Sequence, residues 1–171
     1  MKLLIVVDMQ NDFIDGALGT QEAVSIVPYV KERIKGFDGK VIFTRDTHFD
    51  NYMETQEGKN LPVPHCIKGT HGWEIHADLE TLRRTDALDK ITFGSKDLVE
   101  VIGREQDVES VTFLGLCTDI CVISNVMLVK AFYPELPIIV DAKGCAGVTP
   151  SSHRNALKAM KMCQIEIQNE G

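Results

Sequence analysis

Short apolar runs alternate with longer amphipathic stretches along this chain. The runs Leu3–Val7, Lys40–Thr44, Ala87–Ile91, Ser110–Leu114, Pro137–Val140 and Gln164–Ile167 predict strands. Several are rich in Val and Ile without polar alternation, the pattern of strands covered on both faces. Between them the spacing predicts helices over Glu22–Lys35, Lys96–Arg104, Asp119–Phe132 and Ser151–Met160. Val24, Val27, Val30 and Ile34 form the apolar stripe of the first. Strands alternating with helices predict an α/β fold: a doubly wound parallel sheet of about six strands with helices on both faces. Asp46 to Thr85 breaks the rhythm. It holds one predicted helix, Gly72–Arg83, within Gly, Pro, His and polar residues. A long irregular excursion in a compact domain is more often functional than idle.

In sheets of this kind ligands bind beyond the C-terminal strand ends. Asp8, Thr44-Arg45-Asp46, Lys90, Cys117 with Cys121, and Asp141 all fall at or just past such ends. Chemistry-bearing residues from remote parts of the chain therefore gather on one edge.

Composition narrows the classes. The 171 residues suffice for one domain with a sizeable core. A formal net charge of −7, with no Lys/Arg stripe, argues against nucleic acid as a partner. No apolar run approaches the roughly 20 residues that span a bilayer. Leu3–Val7 after Met1-Lys2 is too short for a signal segment and ends at Asp8, so a cytoplasmic location without membrane association is expected. Five cysteines, an odd number, argue against a disulfide framework.

The most informative segment is Gly115-Leu116-Cys117-Thr118-Asp119-Ile120-Cys121-Val122. It leaves a predicted buried strand and enters a predicted helix, which puts Cys121 in the first helical turn. A thiol there meets unpaired N–H groups and the positive helix end, which favour thiolate. The same N–H groups suit an anionic oxygen. Cys121 is the candidate nucleophile; for the Cys117 side chain, packing is the better reading. Asp46-Thr47-His48 places a carboxylate and an imidazole two residues apart after a strand, able to share one ion, with His65 or His71 as a further ligand. Mixed N/O donors suit zinc, iron(II), manganese or nickel and do not name the metal. Asp8 and Lys90 end apolar strands, and a buried lysine needs an anionic partner, which Asp8 can be. A Cys–Asp–Lys group follows, in which lysine holds the aspartate and both tune the thiol.

With these residues in view, the chain resembles the isochorismatase-like cysteine hydrolases, and among them the nicotinamidases. The resemblance rests on Val7-Asp8-Met9-Gln10-Asn11-Asp12-Phe13, Thr44–His48, Pro64-His65-Cys66, Lys90 followed by Phe93, the Gly115–Val122 segment, Asp141–Gly147 and Thr149–His153, in family order over nearly the whole chain. It implies one hydrolase domain over residues 1–171 and an Asp8–Lys90–Cys121 triad. It implies an oxyanion hole from the backbone N–H groups of Cys117 and Cys121, beside a cis peptide joining Leu116 to Cys117. It places metal ligands at Asp46, His48 and His65, with Glu57 and His71 as additional candidates and Phe13 and Phe93 as substrate contacts. It implies one divalent transition metal, zinc first and iron or manganese next, with no organic cofactor. The implied partner is a small-molecule amide, nicotinamide foremost, and the implied assembly is a homo-oligomer. His76 and His153 receive surface or capping roles. Thr47 and Leu61-Pro62-Val63-Pro64 depart from the nicotinamidase pattern around the ring pocket, which keeps a second reading open: the same triad acting on another amide, carbamoyl or ureido compound. A third is a catalytically silent binding protein with Cys117 and Cys121 as sensor thiols.

Overall fold

The computed structural model describes residues 1–171. Six strands form one parallel sheet: β1 (Lys2–Val7), β2 (Lys40–Asp46), β3 (Leu88–Lys90), β4 (Ser110–Leu116), β5 (Ile138–Ala146) and β6 (Glu166–Gln168). Their spatial order is β3-β2-β1-β4-β5-β6. The chain thus winds one way from β1 through β3, returns to pair β4 with β1, and winds the other way to β6. Right-handed crossovers then put the helices of the two halves on opposite faces. The order reverses at β1, where a crevice opens between the ends of β1 and β4.

The helices are α1 (Asn11–Ile14), α2 (Gln21–Lys35), α3 (Gln56–Asn60), α4 (Ala77–Glu80), α5 (Lys96–Arg104), α6 (Ile123–Phe132) and α7 (Pro150–Met162). Side-chain caps from Thr20, Thr55, Ser95 and Thr149 start α2, α3, α5 and α7. Those hydroxyls satisfy N–H groups that no helical carbonyl can reach. Strand β1 is buried from Leu3 to Val7, as a central strand covered on both faces must be.

Three expectations change. The helix predicted over Gly72–Arg83 is a 3₁₀ turn, His71–Trp73, followed by the short α4. Its backbone is tied to the N-terminal segment instead: Asn11 N donates to Glu74 O at 3.0 Å, and His76 N donates to Met9 O at 2.9 Å. The helix predicted over Asp119–Phe132 opens with a π turn, Thr118–Val122, before α6. Strand β5 runs past Val140 to Ala146, because its register shifts between Phe113 and Gly115 and lets Cys145 and Ala146 pair with Gly115 and Leu116.

Candidate active site

Asp8 leaves β1 with φ of 48°, in the left-handed region that aspartate tolerates better than most residues. Its N–H donates to Thr44 O at 3.2 Å, and Thr44 Oγ1 donates to Asp8 Oδ1 at 2.8 Å. Lys90, at the end of β3, brings Nζ to 2.7 Å from Asp8 Oδ2. The contact is a buried ion pair, and Asp8 Oδ2 is the one buried side-chain oxygen that makes no hydrogen bond. Lys90 Nζ also donates to Thr92 O at 3.1 Å and to Cys121 Sγ at 3.4 Å. The three groups are nearly sealed from solvent: Asp8 is 0%, Lys90 4% and Cys121 4% exposed.

Burial sets the charge state here. It raises the Asp8 pKa above the ordinary carboxylate value, an effect the Lys90 ammonium only partly offsets. Burial and the Asp8 carboxylate push the Cys121 thiol well above its usual value. For Lys90 burial works the other way, but the Asp8 and Asp46 carboxylates outweigh it and keep the ammonium charged. A helix start favours thiolate at Cys121; desolvation and the neighbouring carboxylate act in the opposite direction and favour the thiol.

Four more side chains meet alongside. One ligand atom from each of Asp46, His48, Glu57 and His65 lies within 4.8 Å of the others. His48 Nε2 is 3.0 Å from Asp46 Oδ2 and 3.5 Å from Glu57 Oε1; His65 Nε2 is 3.6 and 3.7 Å from the same two oxygens. His65 Nδ1–H donates to Val63 O at 2.8 Å, which leaves the Nε2 lone pair facing the cluster. Burial lowers the affinity of His48 for a proton, but Asp46 and Glu57 outweigh it and set its pKa at about 9. Asp46 is held below the ordinary carboxylate range by its bonds to the two histidines and by Lys90, against the effect of burial. Asp46 also touches the triad: its Oδ1 lies 3.6 Å from Lys90 Nζ.

Both clusters open into one cavity of about 600 Å³ whose walls include Phe13, Leu61, His65, Phe93, Ile120 and Cys121. Phe13 is buried and meets the His65 ring edge-on at 5.4 Å. Phe93 stands at the lip, 45% exposed. The Leu116–Cys117 peptide is cis, and Cys117 lines the cavity where β4 turns toward Cys121.

The structure brings together Asp8, Lys90, Cys121, Asp46, His48 and His65, and adds Glu57 to the last three. It does not bring in His71, whose side chain is 85% exposed and 3.7 Å from Glu74. His76 caps α4, accepting from Asp78 N at 3.3 Å. His153 departs from its expected surface role: it is half-buried and shares a 2.6 Å hydrogen bond with Thr118.

Several supporting residues escaped sequence reasoning. Gln10 accepts from Asp46 N at 2.8 Å and donates to Asp46 O at 2.8 Å and Trp73 O at 2.9 Å, fixing the Asp46 backbone. Asp12 accepts from Cys66 N at 2.8 Å and so holds the segment that follows His65. Asn125 donates to Cys121 O at 2.7 Å and Phe93 O at 3.0 Å, and accepts from Ser95 N at 2.8 Å. The only signal for Gln10 was its place two residues past Asp8 in the polar exit of β1.

Known proteins share this arrangement of the chain. A nicotinamidase/pyrazinamidase of Mycobacterium tuberculosis is 26% identical over 98% of both chains. An uncharacterized isochorismatase family protein of Bacillus subtilis is 31% identical over 91% of this chain and 92% of its own length. The crystal structure of a pyrazinamidase of Pyrococcus horikoshii in complex with zinc superposes with a TM-score of 0.82 at 29% identity, covering 97% of each chain. The isochorismatase domain model matches residues 2–169. The chain therefore belongs to the isochorismatase family, and within it the likeness is to the nicotinamidases.

Proposed function

We propose that this protein is a cysteine-dependent amidohydrolase that converts nicotinamide and water to nicotinate and ammonia. The observation that carries the reading is that Cys121, paired behind the cavity wall with the buried Lys90 and Asp8, lines the same cavity as Asp46, Glu57 and His65 of the four-residue cluster. A thiol, an acceptor for its proton and a set of ring-facing donors then converge on a single small substrate.

Asp8 Oδ2 takes the proton of Cys121 as Sγ attacks the amide carbon, forming the C–S bond. The developing oxyanion is held by the backbone N–H groups of Cys117 and Cys121; losing one such donor typically costs about 2.7–4 kcal/mol of barrier. Asp8 returns the proton to the departing nitrogen, the C–N bond breaks, and ammonia leaves a thioester on Cys121. Asp8 then takes a proton from water, whose oxygen attacks the thioester. Collapse releases the acid, and the proton returns to Sγ. Lys90 stays charged throughout, fixing Asp8 and balancing the negative charge that builds between oxygen and sulfur.

The donor set of two imidazoles and two carboxylates fits a divalent transition metal, zinc first and iron or manganese next, and the His65 tautomer presents its free lone pair. When bound there, such an ion would supply a Lewis-acid site for a ring nitrogen and so orient the substrate. Phe13 and Phe93 would contact the ring faces. No organic cofactor is needed for these steps. Assembly as a homo-oligomer in the cytoplasm, with a role in NAD salvage, belongs to the same reading; light scattering on the purified protein reads the assembly.

Purified protein given nicotinamide is expected to release ammonia, and Cys121→Ala to abolish it. Full activity in that variant would overturn the mechanism. A panel of small amides and ureido compounds tests the second substrate reading, which the open lip at Leu61, Ile91 and Phe93 favours: these are 38%, 69% and 45% exposed. Faster turnover of a bulkier amide than of nicotinamide would assign it.

A further inference from the structure

We propose that His153 is a positioning residue that holds the Cys117–Cys121 turn through the Thr118 hydroxyl, and that the hold is released when the imidazole takes up a proton. The proposal rests on the amidohydrolase reading for its catalytic consequence, since Cys117 and Cys121 are the donors assigned to the oxyanion there.

Thr118 is 0% exposed, and its hydroxyl has one hydrogen-bond partner, His153 Nδ1 at 2.6 Å. A buried hydroxyl proton needs an acceptor. With no other group in reach, Thr118 donates to Nδ1, so the ring is neutral with its proton on Nε2. Protonation puts a second hydrogen on Nδ1, facing the hydroxyl proton. The hydroxyl must then turn to accept, and its own proton loses its only acceptor in a dry site.

What Thr118 anchors is the catalytic turn itself. Cys117 O accepts from Ile120 N at 3.1 Å and Val122 N at 3.0 Å, so the peptide on either side of Thr118 sets the direction of the whole turn. On the other side, His153 is firmly placed. Thr149 and Ser152 close a capping box at the start of α7. Gly147 lets that turn approach, because a Cβ there would lie 2.8 Å from His153 N. A second tie runs in parallel: Val148 N donates to Asp119 Oδ1 at 3.2 Å. The charged groups facing the ring are Asp119 from the π turn, Arg154 from α7 and Glu170 from the C-terminal segment. Burial outweighs their combined effect and keeps the ring neutral to lower pH than an ordinary histidine.

Four single variants, one double variant and two readouts test this. His153→Ala and Thr118→Val are each expected to lose about tenfold or more in kcat, short of the ~10²–10³ that losing an oxyanion donor costs, with KM changed less than about threefold. Combining them should add little to either. Asn places an acceptor near the Nδ1 position without titrating, so His153→Asn should recover most of kcat at neutral pH, as should Thr118→Ser. The acid side of kcat should carry an added step of about tenfold at the His153 midpoint in the wild type, and that step should be absent in His153→Asn. Independently of turnover, NMR should show the His153 ring titrating below 6.5, with the Thr118 backbone amide shifting at the same midpoint. Equal kcat in wild type and His153→Ala, equal losses in the Ala and Asn variants, or a Thr118 amide indifferent to the ring's midpoint would each overturn the proposal. A wild type that hydrolyses no amide would sink the amidohydrolase reading alone, and the NMR arm would still decide whether the hold exists.

Discussion

At the scale of single residues, the site turns on who carries one proton. Asp8 and Cys121 lie in the same dry space, and burial raises the pKa of each. The proposed reaction needs the carboxylate empty and the thiol loaded before substrate arrives. As pH falls through the raised Asp8 value, the acceptor fills and turnover declines. The sign follows from direction: a raised carboxylate puts this acid limb above 3.8, its ordinary value. A profile of kcat/KM against pH should show it in the wild type and keep it in His153→Asn; a flat acid side down to pH 4 would remove Asp8 from the role of base. Sequence alone made Asp8 and Lys90 legible, because a charge at the end of an apolar strand demands a partner. Gln10 and His153 were not legible, because their partners, Asp46 and Thr118, are 36 and 35 residues away and no local pattern connects them.

At the scale of elements, β1 and β4 define how close Asp8 and Cys121 come. Gly115 holds φ of 122°, and a Cβ there would lie 2.2 Å from Val7 O. Gly115→Ala would push the two central strands apart next to Asp8 and Cys117. It is expected to cost about 1–3 kcal/mol by crowding, with further strain from the backbone angle, read as a fall in melting temperature together with lost activity. A variant as stable as the parent would mean that the strands can part freely. The long strands and the helices α2, α5, α6 and α7 were readable from period and caps. The excursion was not. Glu57 joins Asp46, His48 and His65 from a helix of five residues, α3, too short to leave a periodic trace, and the stretch predicted as one helix follows hydrogen bonds to the Met9–Asn11 segment rather than its own spacing. The π turn was also hidden: apolar residues from Ile120 to Val129 read as continuous helix whether the first turn is π or α.

At the scale of the whole molecule, the outer half of the sheet has its own lock. Asp141 is 0% exposed and accepts from Tyr29 Oη at 3.0 Å, Arg33 Nε at 2.7 Å and Asn169 Nδ2 at 3.0 Å. It joins β5, α2 and the segment after β6, three pieces with no contact to the cavity. Asp141→Ala is expected to cost about 1–3 kcal/mol in urea unfolding, the lower range applying because Arg33 keeps access to water. The folded fraction should keep its kcat; a lost kcat would mean that the lock reaches the site. No helix is long and apolar enough to cross a membrane. Asp46 has the opposite reach. One of its oxygens faces Lys90 and the other faces His48 and His65. Substitutions on the two sides of that carboxylate should be epistatic. A change at Glu57 that adapts the cavity to a new ring will alter what a change at Lys90 does, and a double-mutant cycle on kcat/KM should return a coupling energy well away from zero. In a lineage drifting toward another amide, the binding half and the bond-breaking half would have to change together.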